Sequence, residues 1–234
     1  GLYRSALKRA TLVFFQNPDD RDEFKLLGLI RPDIPVHVIP GSGVDTSYFS
    51  TEPFPSGPIR FLLIARLLGD KGIREFVEAA RVVRATWENV EFHIVGGVDP
   101  SPDGISEDEV IHWRDSGIIS WHGHLADVRS AICLSHIYVL PSYREGTPRT
   151  VLEAMSMGRP IITTDAPGCR ETVSPGLNGM LVPIKNSEAL AGAMTQFLED
   201  PDIIARMGFH SRRITEQKYD VHKVNAIMIE AMKL

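Results

Sequence analysis

Two glutamates, Glu145 and Glu153, stand eight residues apart in Glu145-Gly-Thr-Pro-Arg-Thr-Val-Leu-Glu153. Two cations precede them, Arg66 and Lys71, in Ala65-Arg-Leu-Leu-Gly-Asp-Lys-Gly72. Carboxylates accept hydrogen bonds from ligand hydroxyls, and fixed cations neutralise a diphosphate. Arg offers a planar fork and Lys a compact point charge, so the two would do different work. Taken alone, such glutamates are usually solvated, and a basic loop is common. Their setting argues for more. Ile137-Tyr-Val-Leu-Pro141 has the pattern of a short buried strand. Thr147 is expected as a helix N-cap, Pro148 at the first helical position and Gly158 just past the helix end. Glu145 then lies on the loop at the carboxyl end of a strand. Glu153 lies on the next helix, whose apolar face is Val151, Leu152, Ala154 and Met155. Between them the helix N-terminus offers unpaired N–H groups and a positive dipole end, an anion site. From Pro148 to Glu153 the helix rises about 7–8 Å at ~1.5 Å per residue. That span suits a ligand with a diphosphate in its middle and hydroxyl-rich groups at both ends, the shape of a nucleotide sugar.

The elements that must position these residues alternate. Residues 1–38 are expected as helix, strand (Thr11–Phe15), helix (Arg21–Leu27, capped by Asn17 or Asp19) and strand (Val36–Ile39). Pro40-Gly-Ser-Gly43 is a turn-rich loop, and Pro53, Pro55, Gly57 and Pro58 mark a linker over 39–58. Ile59–Ala65 is a continuous apolar run, as in a strand buried on both faces of a parallel sheet. Ile73, Phe76, Val77, Ala80 and Val83 recur at helical spacing. Strands follow at Glu91–Val95, Ile118–Trp121, Ile137–Leu140, Pro160–Thr164 and Met180–Val182. Helices follow at Glu107–Arg114, Ala126–Leu134, Arg170–Val173, Ser187–Leu198, Ile203–Gln217 and Val221–Leu234. Such alternation means βαβ units with right-handed crossovers. The fold class is α/β, a doubly wound, Rossmann-like parallel sheet with ligands at the carboxyl ends of its strands.

Composition narrows the partners. The 234 residues are 43% hydrophobic and 24% charged, enough for a full core. A net charge of −5 argues against nucleic acid as the main partner. Two cysteines, Cys133 and Cys169, make no disulfide framework and suit a reducing compartment. No apolar run of about 18 residues is present, and no signal peptide is visible. The chain begins at Gly1 without Met, as a piece of a longer protein would.

Other motifs carry less. Val95-Gly-Gly97 ends a strand but does not open a G-x-G-x-x-G helix, so a nicotinamide reading is rejected. His122-Gly-His124 lacks a third ligand at metal spacing, and no metal is expected. Cys133 and His136 fit packing roles, and nothing marks a base partner for Cys169.

The whole set resembles the carboxyl-terminal, donor-binding half of retaining GT-B glycosyltransferases of group 1, or family 4. The matching stretches are Val38-Ile-Pro-Gly-Ser-Gly-Val-Asp45, the Arg66…Lys71-Gly72 loop, Trp121-His-Gly-His-Leu-Ala-Asp127, Pro141 through Met155, Gly158-Arg-Pro-Ile-Ile-Thr-Thr-Asp165 and Asn178-Gly179. The resemblance runs from about residue 5 to about residue 215. It implies that Arg66 and Lys71 bind the diphosphate and neutralise the leaving nucleoside diphosphate. Glu153 would hold the ribose hydroxyls, and Glu145 would face the donor sugar. Gly146, Thr147, Pro148, Arg149 and Thr150 would surround the donor, with Gly43 beside them and the loop at Leu125 at the base. No cofactor or metal is implied, because Arg, Lys and the helix end supply the charge.

Glu145-Gly-Thr-Pro-Arg-Thr150 together with Thr164-Asp-Ala-Pro-Gly-Cys-Arg-Glu171 is most similar to bacterial enzymes of polysaccharide assembly that build undecaprenyl-diphosphate-linked oligosaccharides. Their donors are UDP-sugars, UDP-N-acetylhexosamines and UDP-galactose above all. A full enzyme would carry roughly 170 more residues as an acceptor-binding domain. On this division residues 1–38 are the end of that domain, 39–58 the interdomain linker, 59–218 the nucleotide-sugar domain and 219–234 a helix crossing back. The strand at Leu12–Phe15 would lack its sheet, leaving exposed apolar surface or self-association there. The expected partners are a nucleoside diphosphate sugar and a glycan or polyprenyl-diphosphate-linked acceptor. The expected place is cytoplasmic, peripheral at the inner face of the membrane. The isolated chain is expected to bind donor weakly and transfer little. The competing readings are a GT-B epimerase or phosphorylase, and a non-catalytic nucleotide-sugar-binding module.

Overall fold

The computed structural model describes residues 2–233. A short helix α1 (Leu2–Ala6) and a 3-10 turn (Leu7–Arg9) lead into β1 (Val13–Phe15), α2 (Pro18–Leu26) and β2 (Val36–Val38). The strand at Val13–Phe15, expected from the sequence to lack its sheet, has one partner strand instead. It pairs in parallel with β2, with Val13 opposite Val36 and Phe15 opposite Val38. Asn17 caps α2, as one of the two expected candidates.

Six further strands form one parallel sheet: β3 (Ile59–Ile64), β4 (Val90–Val95), β5 (Ser120–Trp121), β6 (Ile137–Leu140), β7 (Ile161–Thr164) and β8 (Gly179–Val182). Their order is β5-β4-β3-β6-β7-β8. The chain runs outward from β3 to β5, returns to lay β6 beside β3, and then runs outward on the other side. This reversal makes the carboxyl ends of β3 and β6 the switch point, where such sheets leave a crevice. Because β6 is the direct neighbour of β3, the Glu145 loop stands beside the Arg66 loop and not two strands away, as its place in the alternation of the sequence would have it. Strand order is a long-range property that local sequence does not carry.

The apolar run of β3 is buried on both faces. Phe61 and Leu63 face α3 (Ile73–Arg84) and α7 (Ser187–Glu199), and Phe61 stacks on Phe92 with ring centroids 5.4 Å apart. Leu62 and Ile64 face α6 (Arg149–Ser156). Each such side chain contributes roughly 1.5–3 kcal/mol of burial, and Phe61, Leu62 and Leu63 are nearly solvent-free. The expected helices at Glu107–Arg114 and Ala126–Leu134 are α4 (Glu107–Asp115) and the much shorter α5 (Arg129–Cys133). α5 starts late because the Asp127 carboxylate accepts the Arg129 N–H and so fixes a turn there. α8 (Asp202–Ile214) ends in a π-helical turn, Thr215–Tyr219, before α9 (Val221–Met232). The expected helix end at Leu234 lies outside the described residues. Among these residues no helix is long and apolar enough to cross a membrane.

Residues 39–58 carry no helix or strand, yet they are pinned. The Arg159 guanidinium is fully buried, and it donates to the carbonyls of Glu52, Pro53, Ile132 and Cys133 at 2.9–3.1 Å while stacking on Phe54. Burial pushes its pKa down to about 10. Arg212 donates to the carbonyls of Thr46, Phe49 and Ser156, and His136 Nε2 lies 3.0 Å from the Pro55 carbonyl. Near the start of the segment, the Val44 N–H donates to Tyr219 O at 2.8 Å and the Val221 N–H donates to Val44 O at 3.0 Å.

Candidate functional site

Lys71 ends a 3-10 turn, Gly69–Lys71, separated from the end of β3 by four residues. The next residue, Gly72, has φ +70, and a Cβ there would stand 2.2 Å from the Pro141 carbonyl oxygen. The turn can therefore close onto the end of β6 only with glycine at this position. From this turn Lys71 Nζ reaches Glu145 Oε1 at 2.7 Å, and both side chains are less than one-fifth exposed. Glu145 is held in turn by its N–H, which donates to Pro167 O at 2.9 Å. Gly168, at φ +80, backs the loop, since a Cβ there would stand about 2 Å from the carbonyl oxygens of Glu145 and Gly146. A cation from one side of the switch point and a carboxylate from the other thus meet at its centre.

Pro148, not Thr147, takes the N-cap position of α6, and Arg149 is its first residue. Thr147 is turned away because its N–H donates to Gln16 Oε1 at 2.9 Å and its hydroxyl donates to Gln16 O at 3.1 Å. Thr150 is also committed inward. It receives the Tyr138 hydroxyl at 2.6 Å and donates to the Ile64 carbonyl at 3.3 Å. One turn along, Glu153 is 6% exposed, and its Oε1 accepts from Arg149 Nε at 3.0 Å. Burial pushes the Glu153 carboxyl up, and Arg149 offsets this in part. Glu153, Arg149 and Gly43 line one cavity of about 640 Å³ with Asp45, Tyr48 and Asp127. Asp127 is held down at about 2 by its bonds to Arg129, whose guanidinium lies 3.9 Å over the Tyr48 ring.

Two expected residues fall outside this group. Arg66 is 71% exposed and pairs with Asp99 at 2.9 Å, away from Lys71 and Glu145. Leu125 lines a neighbouring cavity of about 340 Å³ with Leu62, His93 and His122. There His93 Nδ1 and His122 Nε2 lie 2.8 Å apart, and burial then His93 push the His122 pKa down. Cys169 is fully buried and raised to about 11 by that burial, which fits its exclusion as a nucleophile.

Sequence reasoning missed the ring of groups that residues 16–23 bring to the site. Arg144 pairs with Asp20 at 2.5 Å and with Glu23, and Arg170 pairs with Asp19 at 2.9 Å. Asn17 Nδ2 donates to the carbonyls of Gly146 and Glu145 at 3.1 and 3.3 Å. Asn17 was legible as a helix cap. A second bond across more than a hundred residues leaves no local signal.

Fold and site together define a doubly wound α/β domain whose polar groups converge on the switch point, at a helix N-terminus. The chain belongs to the group 1 glycosyltransferases, whose family model matches residues 58–200. It is 32% identical over 213 residues to the N,N'-diacetylbacillosaminyl-diphospho-undecaprenol alpha-1,3-N-acetylgalactosaminyltransferase of Campylobacter jejuni, covering 85% of this chain and 54% of that protein. It spans about half the length of the curated relatives it matches. Among solved structures, Anabaena HepE in complex with UDP superposes with a TM-score of 0.84 at 22% identity, covering 97% of this chain and 65% of that one. Sucrose-phosphate synthase of Thermosynechococcus elongatus superposes at 0.82 and 22% identity, covering 98% and 59%. The fold is that of the GT-B glycosyltransferases.

Proposed function

We propose that this chain is the donor-binding half of an enzyme that transfers a sugar from a UDP-sugar, with retention at the anomeric carbon. The acceptor is a glycan or a polyprenyl-diphosphate-linked saccharide of bacterial surface glycan assembly. The observation that carries this reading is the Lys71–Glu145 pair, 2.7 Å apart at the switch point, with the α6 N-terminus and the buried Glu153 beside it. On this reading the diphosphate takes the Lys71 ammonium and the free N–H groups of α6. Arg66, whose pair with Asp99 is solvent-exposed on the arginine side, leaves Asp99 and joins it. The ribose hydroxyls displace Arg149 from Glu153. Glu145 faces the sugar and stabilises positive charge near its ring, so the chemistry rests on orientation and on stabilising the leaving diphosphate.

The Campylobacter relative is named for an N-acetylgalactosamine transfer to a diphospho-undecaprenol saccharide, and the Anabaena structure holds UDP. The Anabaena structure supports UDP as the donor nucleotide, and the Campylobacter relative supports an N-acetylhexosamine donor sugar and a lipid-linked acceptor. The expected donor binding is metal-independent and weak in this chain alone, with little or no transfer.

The test is calorimetric titration with UDP, GDP and UDP-N-acetylhexosamines, with and without chelator, beside Lys71→Ala and Glu153→Ala. Saturable, chelator-insensitive UDP binding that falls about tenfold or more in Lys71→Ala is expected, the loss of a charge-assisted contact. GDP preferred over UDP, or wild-type affinity in both variants, would sink the reading.

A further inference from the structure

The Asn17 side chain is completely buried and bonds in two directions. Its Oδ1 accepts the Asp20 N–H at 2.8 Å, the ordinary N-cap bond of α2. Its Nδ2 donates to Gly146 O at 3.1 Å, Glu145 O at 3.3 Å and Asp20 Oδ2 at 2.9 Å. A cap needs only the acceptor, which Asp or Ser would also supply. The N–H donors are what Asn adds, and they are spent mostly on the Glu145-Gly146-Thr147 loop. The neighbouring Gln16 holds the same loop at Thr147 from the same side.

The opposite side of that loop is closed by Pro167 and Gly168. The ion pairs at its rim are half-exposed on the Arg144 side, where such pairs add little. The buried carboxamide is therefore the specific part of the contact. Displacing the loop carbonyls moves Glu145, which is bonded to Lys71.

We propose that Asn17 is a positioning residue: from the first segment of the chain it sets the Glu145-Gly146-Thr147 loop, and with it the place of Glu145 against the donor sugar. The last clause rests on the donor reading above, whereas the hold on the loop does not. Asn17→Asp keeps the cap acceptor and removes the N–H donors, turning a carboxylate toward two carbonyl oxygens and the Asp20 carboxylate. Asn17→Ser keeps a neutral cap with one O–H, and serves should the aspartate variant fail to fold.

The experiment is amide hydrogen exchange at Glu145 and Thr147 in the 234-residue chain, with titration of UDP and UDP-N-acetylglucosamine. Exchange at those two amides is expected to quicken about five- to tenfold in both variants, the loss of one to two hydrogen bonds, with β3, β4 and β7 unchanged. UDP affinity is expected to stay within about twofold, while the added affinity that the sugar brings is lost. Unchanged exchange overturns the proposal. So does a loosened loop with both affinities intact, because Asn17 would then hold the loop without setting the site. If the wild-type chain binds neither nucleotide while exchange responds as expected, the hold on the loop stands and the donor reading fails.

Discussion

The two parallel sheets of this chain follow one local rule and differ in what covers them. β3, β6 and β7 are buried almost throughout, with helices on both faces. β1 and β2 bury fully only Phe15, which with Ile30 and Ile34 forms the small buried cluster among the described residues of the first segment, with Leu7, Ala10, Val13, Phe24 and Val36 half-buried against it. On the outer side, Leu12 and Phe14 line a groove with Ile227 and Met232 of α9, both of which are partly exposed. The exposed apolar surface expected at Leu12–Phe15 is not found on that strand: Leu12, Val13 and Phe14 are half-buried and Phe15 is buried, and the exposed apolar groups of the groove are Ile227 and Met232 of α9. The large sheet is held by apolar burial. The small one is held to it by polar ties, so the two should come apart differently.

The sharpest way to break this comparison is Phe61→Ala, in the centre of the large core. It should cost about 3–5 kcal/mol and lower the main thermal transition by roughly 10 °C, as calorimetry would record. A loss under about 1 kcal/mol would mean that the large core is not what holds the sheet. Arg159→Leu comes next. Four carbonyls would lose a buried donor, and the expected cost is about 3 kcal/mol, with faster amide exchange concentrated in residues 49–58. Global loosening without that concentration would show that Arg159 supports the core and not the linker.

Phe15→Ala should act locally. Phe15 packs edge-on against Phe24 with centroids 5.2 Å apart, and its loss should speed exchange across 13–38 by about 1–2 kcal/mol of local stability, leaving the main transition in place. The smallest effect is a gain. Burial raises the folded pKa of Glu153 above its unfolded value. The charged carboxylate therefore costs stability above the folded pKa, and that cost is absent below the unfolded one. Glu153→Gln should raise the melting temperature at pH 8 by about 1–2 °C, with the gain fading as pH falls through the raised carboxylate range. A gain that persists in acid would assign it to packing.

The large sheet was legible because its code is local. Ile59–Ala65 is apolar on both faces, and Ile73, Phe76, Val77, Ala80 and Val83 recur at helical spacing, so strand and helix fall where their patterns say. The Lys71 and Glu145 loops were legible for the same reason, each following such a strand. Their adjacency was not, because β6 returns beside β3 only after two outward crossovers. Thr147 shows the limit most plainly. Its local setting predicts a cap, but a glutamine far back in the chain takes its N–H and hydroxyl. Arg159 and Arg212 are charged residues in a sequence where charge means surface. The carbonyls that bury one and half-bury the other come together only on folding, from residues 46–53 and, far along the chain, from Ile132, Cys133 and Ser156.

The bridge between Val44 and its neighbours Tyr219 and Val221 has a mechanical consequence. The chain leaves the first segment at residue 44 and returns toward it at residue 220, and both crossings meet in a pair of backbone hydrogen bonds. A body attached through two strands at one point has a pivot, and the attachment itself selects the axis of rotation. Any rotation of residues 2–38 with α9 against the large sheet would have Val44 as its pivot, and would first have to break the Asn17 contacts that latch the other side.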